Sequence, residues 1–241
     1  MKNISVYGNL VDRYLFNFRV DPVALENHLP KVDWLKPRII NGYGVVSFCL
    51  LKLKGLTMWP LPTSLGLDTT SCAYRCAVVD ESGKKPEPSV YVLGRNTDLS
   101  IISRLGPKLF SGTIEKIDAS VEHVSENVQV NTKYSDGRVM FSATVDSLKC
   151  KNDSKLFESE DSFEDFIKGG ISSYTPSTKE SMYSRVDLET DSNQYEQVNA
   201  MINVSCLDDE WKDTKLVFDS AYRAGGNQYK LRYLGSVPSY M

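Results

Sequence analysis

EPSVYVLGRNTDLSIISRLGPKLFSG, residues 87–112, is the stretch from which the rest of the chain can be read. It opens as an apolar strand, and Gly94-Arg95 is expected to break that strand into a short helical segment ending in Gly106-Pro107-Lys108. One arginine and one lysine are thereby set beside an apolar wall. Immediately before it, SCAYRCAVV (71–79) has strand composition, and Asp80-Glu-Ser-Gly-Lys-Lys-Pro86 is a turn, so SVYVLG returns as the antiparallel partner.

Further out in both directions the same pattern recurs. DRYLFNFRV (12–20) alternates polar and apolar residues, as a half-buried strand does. The period then changes: Asp21-Pro22 pairs an N-cap with a proline at the first helical position, and Val23, Leu25 and Leu29 follow at helical spacing before Pro30. Residues 38–53 read as two strands about Asn41-Gly42, a dipeptide suited to positive φ. The segment GLTMWPLPTSLGLDTT (55–70) reads as a long exposed connection carrying Met58, Trp59 and Leu61.

Downstream, residues 113–123, 126–134 and 138–149 are three more alternating strands. SFEDFIKGG (162–170) is a short helix with Ser162 as its N-cap and two glycines as its stop. The strands SSYTPS, MYSRVDLET, QYEQVNAMINV, LVFDSAYRA and QYKLRYLG close the sequence. About ten short strands with few helices argue for one mostly antiparallel, strongly curled or closed sheet with helices at its rim. No domain boundary stands out, so residues 1–241 are expected to form one domain.

The composition narrows the function by exclusion. A net charge of −3, with Lys and Arg scattered, leaves no basic footprint for nucleic acid. No apolar run reaches the roughly 18 residues that a membrane helix needs. The N-terminus does not read as a secretory signal, which makes the cytoplasm the expected location. The five cysteines, Cys49, Cys72, Cys76, Cys150 and Cys206, lie mostly in apolar strand-like runs and read as buried thiols. Cys72 and Cys76 share a strand face without a second pair or a histidine nearby, so no metal site is expected. His28 and His123 sit in no hydrolase or zinc-enzyme context, and no phosphate-binding glycine motif occurs.

Lysine, arginine and tyrosine chemistry remains. A lysine in an apolar pocket loses its proton near neutral pH and can attack a carbonyl to form an imine. Lys108, in RLGPKLF, has the best context for this, with a surface place at a helix end as the other reading. Arg13, Arg75 and Arg95 are embedded in apolar runs, where a guanidinium needs a carboxylate or a ligand anion as partner.

At this point the chain resembles a known family. DRYLFNFRVDPVALENHLP (12–30) resembles the N-terminal motif of acetoacetate decarboxylase and its relatives, and Gly94-Arg95 after an apolar strand resembles that family's Gly-Arg-Glu. Ser173-Tyr-Thr-Pro176 with MYSRVDLE, and the closing FDSAYRAGGNQYKLRYLG, are similar to an uncharacterised bacterial branch of the superfamily. The resemblance implies an antiparallel, cone-shaped β-barrel with a few short peripheral helices around a small-molecule cavity, with no cofactor.

The resemblance carries Arg13 onto the family's active-site arginine. The family's catalytic Glu falls near Ser71, and the nucleophilic Lys falls on Ile102 when no gap is introduced; only a gap brings Lys108 there. The expectation is therefore a barrel that binds a small organic acid or ketone, with Arg13, Arg75, Arg95 and Ser71 as polar liners and Tyr74 and Tyr174 shaping the cavity. Two alternatives stand beside it. One is a Schiff-base lyase using Lys108. The other is a non-catalytic interaction protein whose Met58-Trp59 loop contacts a partner or a second copy, as in a homo-oligomer.

Overall fold

The computed structural model describes residues 4–58, 60–110, 112–149, 153–190 and 194–239. The chain begins with β1 (Ile4–Val20), α1 (Pro22–His28), β2 (Leu35–Pro37), β3 (Ile39–Ile40) and β4 (Tyr43–Met58). It continues with β5 (Leu67–Asp80), β6 (Glu87–Thr97), α2 (Ser100–Phe110), β7 (Glu115–Val124), β8 (Asn127–Tyr134) and β9 (Val139–Lys149). Then come α3 (Glu160–Gly169), β10 (Ser172–Pro176), β11 (Met182–Thr190), β12 (Glu196–Ser205), α4 (Cys206–Glu210), β13 (Val217–Ala224) and β14 (Asn227–Pro238).

The fourteen strands form one sheet whose hydrogen-bonded neighbours close on themselves twice. One ring runs through β1, β4, β5, β6, β10, β11 and β14, with β14 returning to β1. The other keeps β1, β4, β5 and β6 but leaves through β7, β8, β9, β12 and β13. Pairing is antiparallel except at β6, where two short parallel contacts occur, to β10 and to β7.

Two strands make the fork. On one edge β1 pairs with β4 almost along its length; on the other its first half pairs with β14 and its second half with β13. The Gly225-Gly226 turn between β13 and β14 sits where the partners change. A Cβ on Gly225 would lie 2.2 Å from the Val11 carbonyl oxygen, and Gly226 adopts φ +76° while its amide donates to the Leu10 carbonyl at 2.9 Å. β6 forks likewise, meeting β10 near Val90 and Tyr91 and β7 at Asn96 and Thr97.

The second ring is filled. Phe16, Phe48, Cys72, Tyr91, Ile117, Val128, Phe141, Val198 and Ala221, one from each of its strands, belong to a single buried cluster. Phe141 stacks on Phe48 with ring centroids 3.9 Å apart and tilts against Phe16 at 4.9 Å. Two helices, α1 and α4, close over its margins. α1 starts at Asp21, whose carboxylate accepts from the Val23 and Ala24 amides, and buries Leu25. α4, absent from the sequence reading, starts at Ser205 and buries Cys206 and Leu207. Next to it Trp211 stacks on His28 at 3.8 Å, so His28 is a half-buried packing residue.

Other expectations shift in detail. β6 does not break at Gly94-Arg95; it continues to Thr97, because the missing Cβ of Gly94 leaves room for the Tyr74 ring, 2.6 Å from where it would be. α2 runs beyond Gly106-Pro107 to Phe110, with Pro107 inside the helix. Both ends of residues 55–70 are strand: β4 reaches Met58 and β5 starts at Leu67, with one 3-10 turn at Thr63–Leu65 between them. Trp59 lies outside the described residues. The N-cap of α3 is Ser159, and Ser162 is its reciprocal partner in a capping box.

The parallel contact between β6 and β10 spans two residue pairs, so side chains reinforce that closure. The Tyr174 hydroxyl on β10 donates to the buried Asp80 carboxylate on β5. Burial pushes the Asp80 carboxyl up, but hydrogen bonds from Ser82 and Tyr174 outweigh it and hold it below its ordinary 3.8. A carboxyl lowered by folding stabilises fully above 3.8 and loses that contribution as pH falls through its folded value. Tyr174→Phe should therefore cost about 1.5–3 kcal/mol at neutral pH, and urea titrations should show the difference shrinking as pH drops below the carboxyl range. Gly225→Ala should cost about 1–3 kcal/mol by forcing β1 and β13 apart, measured the same way.

Candidate functional site

The four strands common to both rings form a wall, and alternation gives its two faces different fates. Phe16, Phe48, Tyr74 and Gly94 stand opposite one another on the face toward the filled ring. On the other face three cross-strand rows lie in register: Asn17, Ser47, Arg75 and Val92; Leu15, Cys49, Ala73 and Arg95; and Arg13, Leu51, Ser71 and Thr97.

Two bulges make this face what it is. β1 carries Val11 as an extra residue opposite the Leu53-Lys52 step of β4, which turns Val6 and Arg13 to the same side although an unbroken strand would oppose them. β6 carries Leu93 as an extra residue between its pairings to Tyr74 and Arg75, and so brings Arg95 to the side of Val92.

The face encloses a cavity of 330 Å³ inside the first ring. Every strand of that ring contributes to its lining: Val6, Leu53, Ser71, Val92, Ser173, Leu188 and Leu231. α2 covers one side with Ile101, Ile102, Leu105 and Leu109. A second, more polar chamber of 240 Å³ adjoins it and shares Arg13, Arg75, Val90, Gly170, Ile171 and Leu188. Its own walls include Arg38, Ser47, Ser89, Glu189, Tyr195 and the last turn of α3.

Three guanidinium groups meet here. Arg13 is 2% exposed, donates through Nη1 to the Tyr195 hydroxyl at 2.7 Å, and leaves its buried Nε without a partner. Arg75 and Arg95 have neither an ion pair nor a side-chain hydrogen bond among the described residues, and the surface they keep lines the cavity. Burial lowers Arg95 to about 10, against the opposing pull of Tyr229. Burial likewise lowers Arg75, and Arg13 adds to it. Burial works against Arg13 as well, but Tyr195 and Cys49 outweigh it. Tyr229, pushed up to about 12 by burial, is a neutral phenol beside these cations.

Among the described residues lining the larger chamber there is no Asp, Glu or Lys. Its further polar edge is a hydroxyl cluster in which Thr69 Oγ1 lies 3.2 Å from Ser71 Oγ and 2.9 Å from Thr97 Oγ1, and donates to Asp98 at 2.7 Å. No group of three or more His, Cys, Asp or Glu side chains converges as a metal site would require, again among the described residues.

Of the residues singled out in the sequence, Arg13, Arg75, Arg95 and Ser71 line the cavity together. Tyr74 and Tyr174 do not. Each follows or precedes a lining residue, Arg75 and Ser173, so the alternation of the strand turns its ring into the filled core. Lys108 is exposed on α2 and lines neither chamber; the helix presents its isoleucines and leucines to the cavity instead. Ile102 and Ser71, the places that the family resemblance matches to the Lys nucleophile and the catalytic Glu, both line the larger chamber. Met58 is 39% exposed at the cavity rim. The sequence reading missed Tyr195, Tyr229 and Arg38. For Tyr229 a signal existed in its alternation with Leu231 and Tyr233; Tyr195 and Arg38 reach the site from elements distant in the chain.

No family model and no curated protein matches the sequence. Solved structures match the fold over nearly the whole chain. Acetoacetate decarboxylase from Legionella pneumophila subsp. pneumophila str. Philadelphia 1 aligns with a TM-score of 0.68 at 13% identity, covering 96% of this chain and 86% of that one. The enduracididine biosynthesis enzyme MppR complexed with pyruvate aligns at 0.60 and 12% identity over 99% and 90% of the two chains. An acetoacetate decarboxylase-like enzyme from Sphingomonas wittichii RW1 aligns at 0.57 and 12% identity, over 98% and 92%. The fold is thus of the acetoacetate decarboxylase-like type, and the likeness is one of fold.

The unpartnered cations carry a consequence for stability. A charge taken from water without a counter-ion opposes folding. Arg95→Met should raise the unfolding free energy of the ligand-free protein by about 1–4 kcal/mol, read from urea denaturation.

Proposed function

We propose that this protein binds a small organic anion in the larger chamber, held by Arg13, Arg75 and Arg95, and that it does so without forming a lysine imine. The observation that carries this reading is the convergence of three guanidinium groups on one cavity whose described lining holds no carboxylate. A guanidinium offers a planar fork of donors that matches a carboxylate, and removal of water strengthens the pair. The anion supplies the counter-charge that the wall lacks. Arg75, shared by both chambers, and Arg95, two residues beyond the β6 bulge, are the direct contacts; Arg13 is oriented by Tyr195.

Imine chemistry needs an uncharged amine within the cavity. Ile102 and Ser71 offer neither an amine nor a carboxylate, and Lys108 faces solvent. MppR, which shares the fold, is complexed with pyruvate, so a small carboxylate suits a cavity of this architecture.

Calorimetric titration with pyruvate, acetoacetate and butyrate, each against its amide or neutral ketone, tests the proposal. At least one acid should bind at least tenfold more tightly than its neutral counterpart, and Arg75→Met and Arg95→Met should each abolish that preference. Borohydride reduction in the presence of the keto acids should leave the intact mass unchanged. A reduced adduct that disappears in Lys108→Ala would overturn the proposal in favour of a lyase.

A further inference from the structure

We infer that the anion is the head of an amphipathic molecule, a straight-chain or aryl monocarboxylate whose apolar tail of about seven to nine non-hydrogen atoms lies beneath α2. This inference rests on the anion-binding reading above and names the class of molecule it applies to.

The two chambers differ in character. Polar residues, among them Arg38, Ser89, Glu189 and Tyr195, make up more than half of the smaller chamber's lining, whereas the larger is walled mainly by aliphatic side chains. Ile102, Leu105 and Leu109 of α2 line it together with Leu53, Leu188 and Leu231 of the ring. A small keto acid bound at the arginines would leave that apolar space to water, which finds few hydrogen-bond partners there. At about 30 Å³ per water-sized unit, 330 Å³ takes on the order of ten non-hydrogen atoms beyond the protein surface.

The charged groups define where the head must go. Arg13 and Arg75 stand at the junction of the chambers, and Arg95 lies two residues along the cavity face from Thr97. A carboxylate there leaves its chain only the aliphatic side. The chamber's outer rim is itself apolar: Ile101 and Leu105 line it while 51% and 47% exposed, so an apolar chain is not stopped by a charged gate. A carboxylate head lets the fork of a guanidinium pair with two oxygens at once, and octyl phosphate, whose oxygens the same fork can engage, is the arm that tests this choice.

The test is isothermal titration of the full chain with acetate, butyrate, hexanoate, octanoate and decanoate, and with 1-octanol, octanamide and octyl phosphate. Affinity should rise about threefold to fourfold per methylene, the fold-change that corresponds to about 0.8 kcal/mol per buried CH₂, and level off between octanoate and decanoate. Octanamide and 1-octanol should bind at least tenfold more weakly than octanoate, and octyl phosphate more weakly too. Ile102→Trp, which fills the space beneath α2, should move the plateau to shorter acids. If acetate or butyrate binds as tightly as octanoate, the amphipathic ligand is wrong while anion binding stands. If octyl phosphate equals octanoate, the carboxylate assignment fails. If no acid exceeds its amide at any length, both readings fall.

Discussion

The pairing of backbone amides and carbonyls at the two fork strands is the constraint from which the structure follows. A strand buried in a sheet must satisfy its hydrogen bonds on both edges along its whole length. β1 and β6 each do so by exchanging one partner for another partway along, β14 for β13 and β10 for β7. One sheet thereby closes into two rings that share four strands. The exchange needs a place where the backbones can approach closely, and Gly225, packed on the Val11 carbonyl, supplies it.

Sharing the wall couples packing to chemistry. On β5 and on β10 alike, a residue that packs in the aromatic core stands beside one that faces the cavity. Tyr74 and Arg75 are such neighbours, and Ser173 and Tyr174 are another pair. The filled ring, held by the stacking of Phe48 on Phe141, gives the wall its rigidity. The opposite face carries its charged side chains beside a second buried cluster, in which Leu15, Val45, Cys49 and Ala77 of the wall join Phe163 and Phe166 of α3. Its three cations stand against folding in the absence of an anion, which is the physical link between the stability of the empty protein and its capacity to bind.

The bulges matter as much as the alternation. Without the extra residue Val11, Arg13 would face away from Val6; without Leu93, Arg95 would face away from Val92. A single inserted residue in a strand reverses the face of everything beyond it. The arginines were legible in the sequence as cations in apolar runs, but their meeting was legible only through family resemblance. The exposed place of Lys108 follows from the helical face that Ile101, Ile102, Leu105 and Leu109 define, a spacing already present in the sequence. The proline within that segment obscured it, because Gly106-Pro107 reads as a stop and the structure runs through it to Phe110.

By itself the sequence determined the strand-rich class, the first helix with its Asp21 cap, the Asn41-Gly42 turn with both residues at positive φ, and the burial of Cys72 and Cys76 on one strand face. These are local matters, settled by backbone preference and period within a few residues. The tertiary structure alone decided that the sheet closes twice, that Tyr195 on a connection and Arg38 beside the β3 hairpin reach the chambers, and that neighbours such as Tyr74 and Arg75 have opposite fates. The physical reason is that closure and cavity depend on pairings between residues far apart in the chain, such as Arg13 with Ala224 and Ser173 with Val90, and on where single residues break the register.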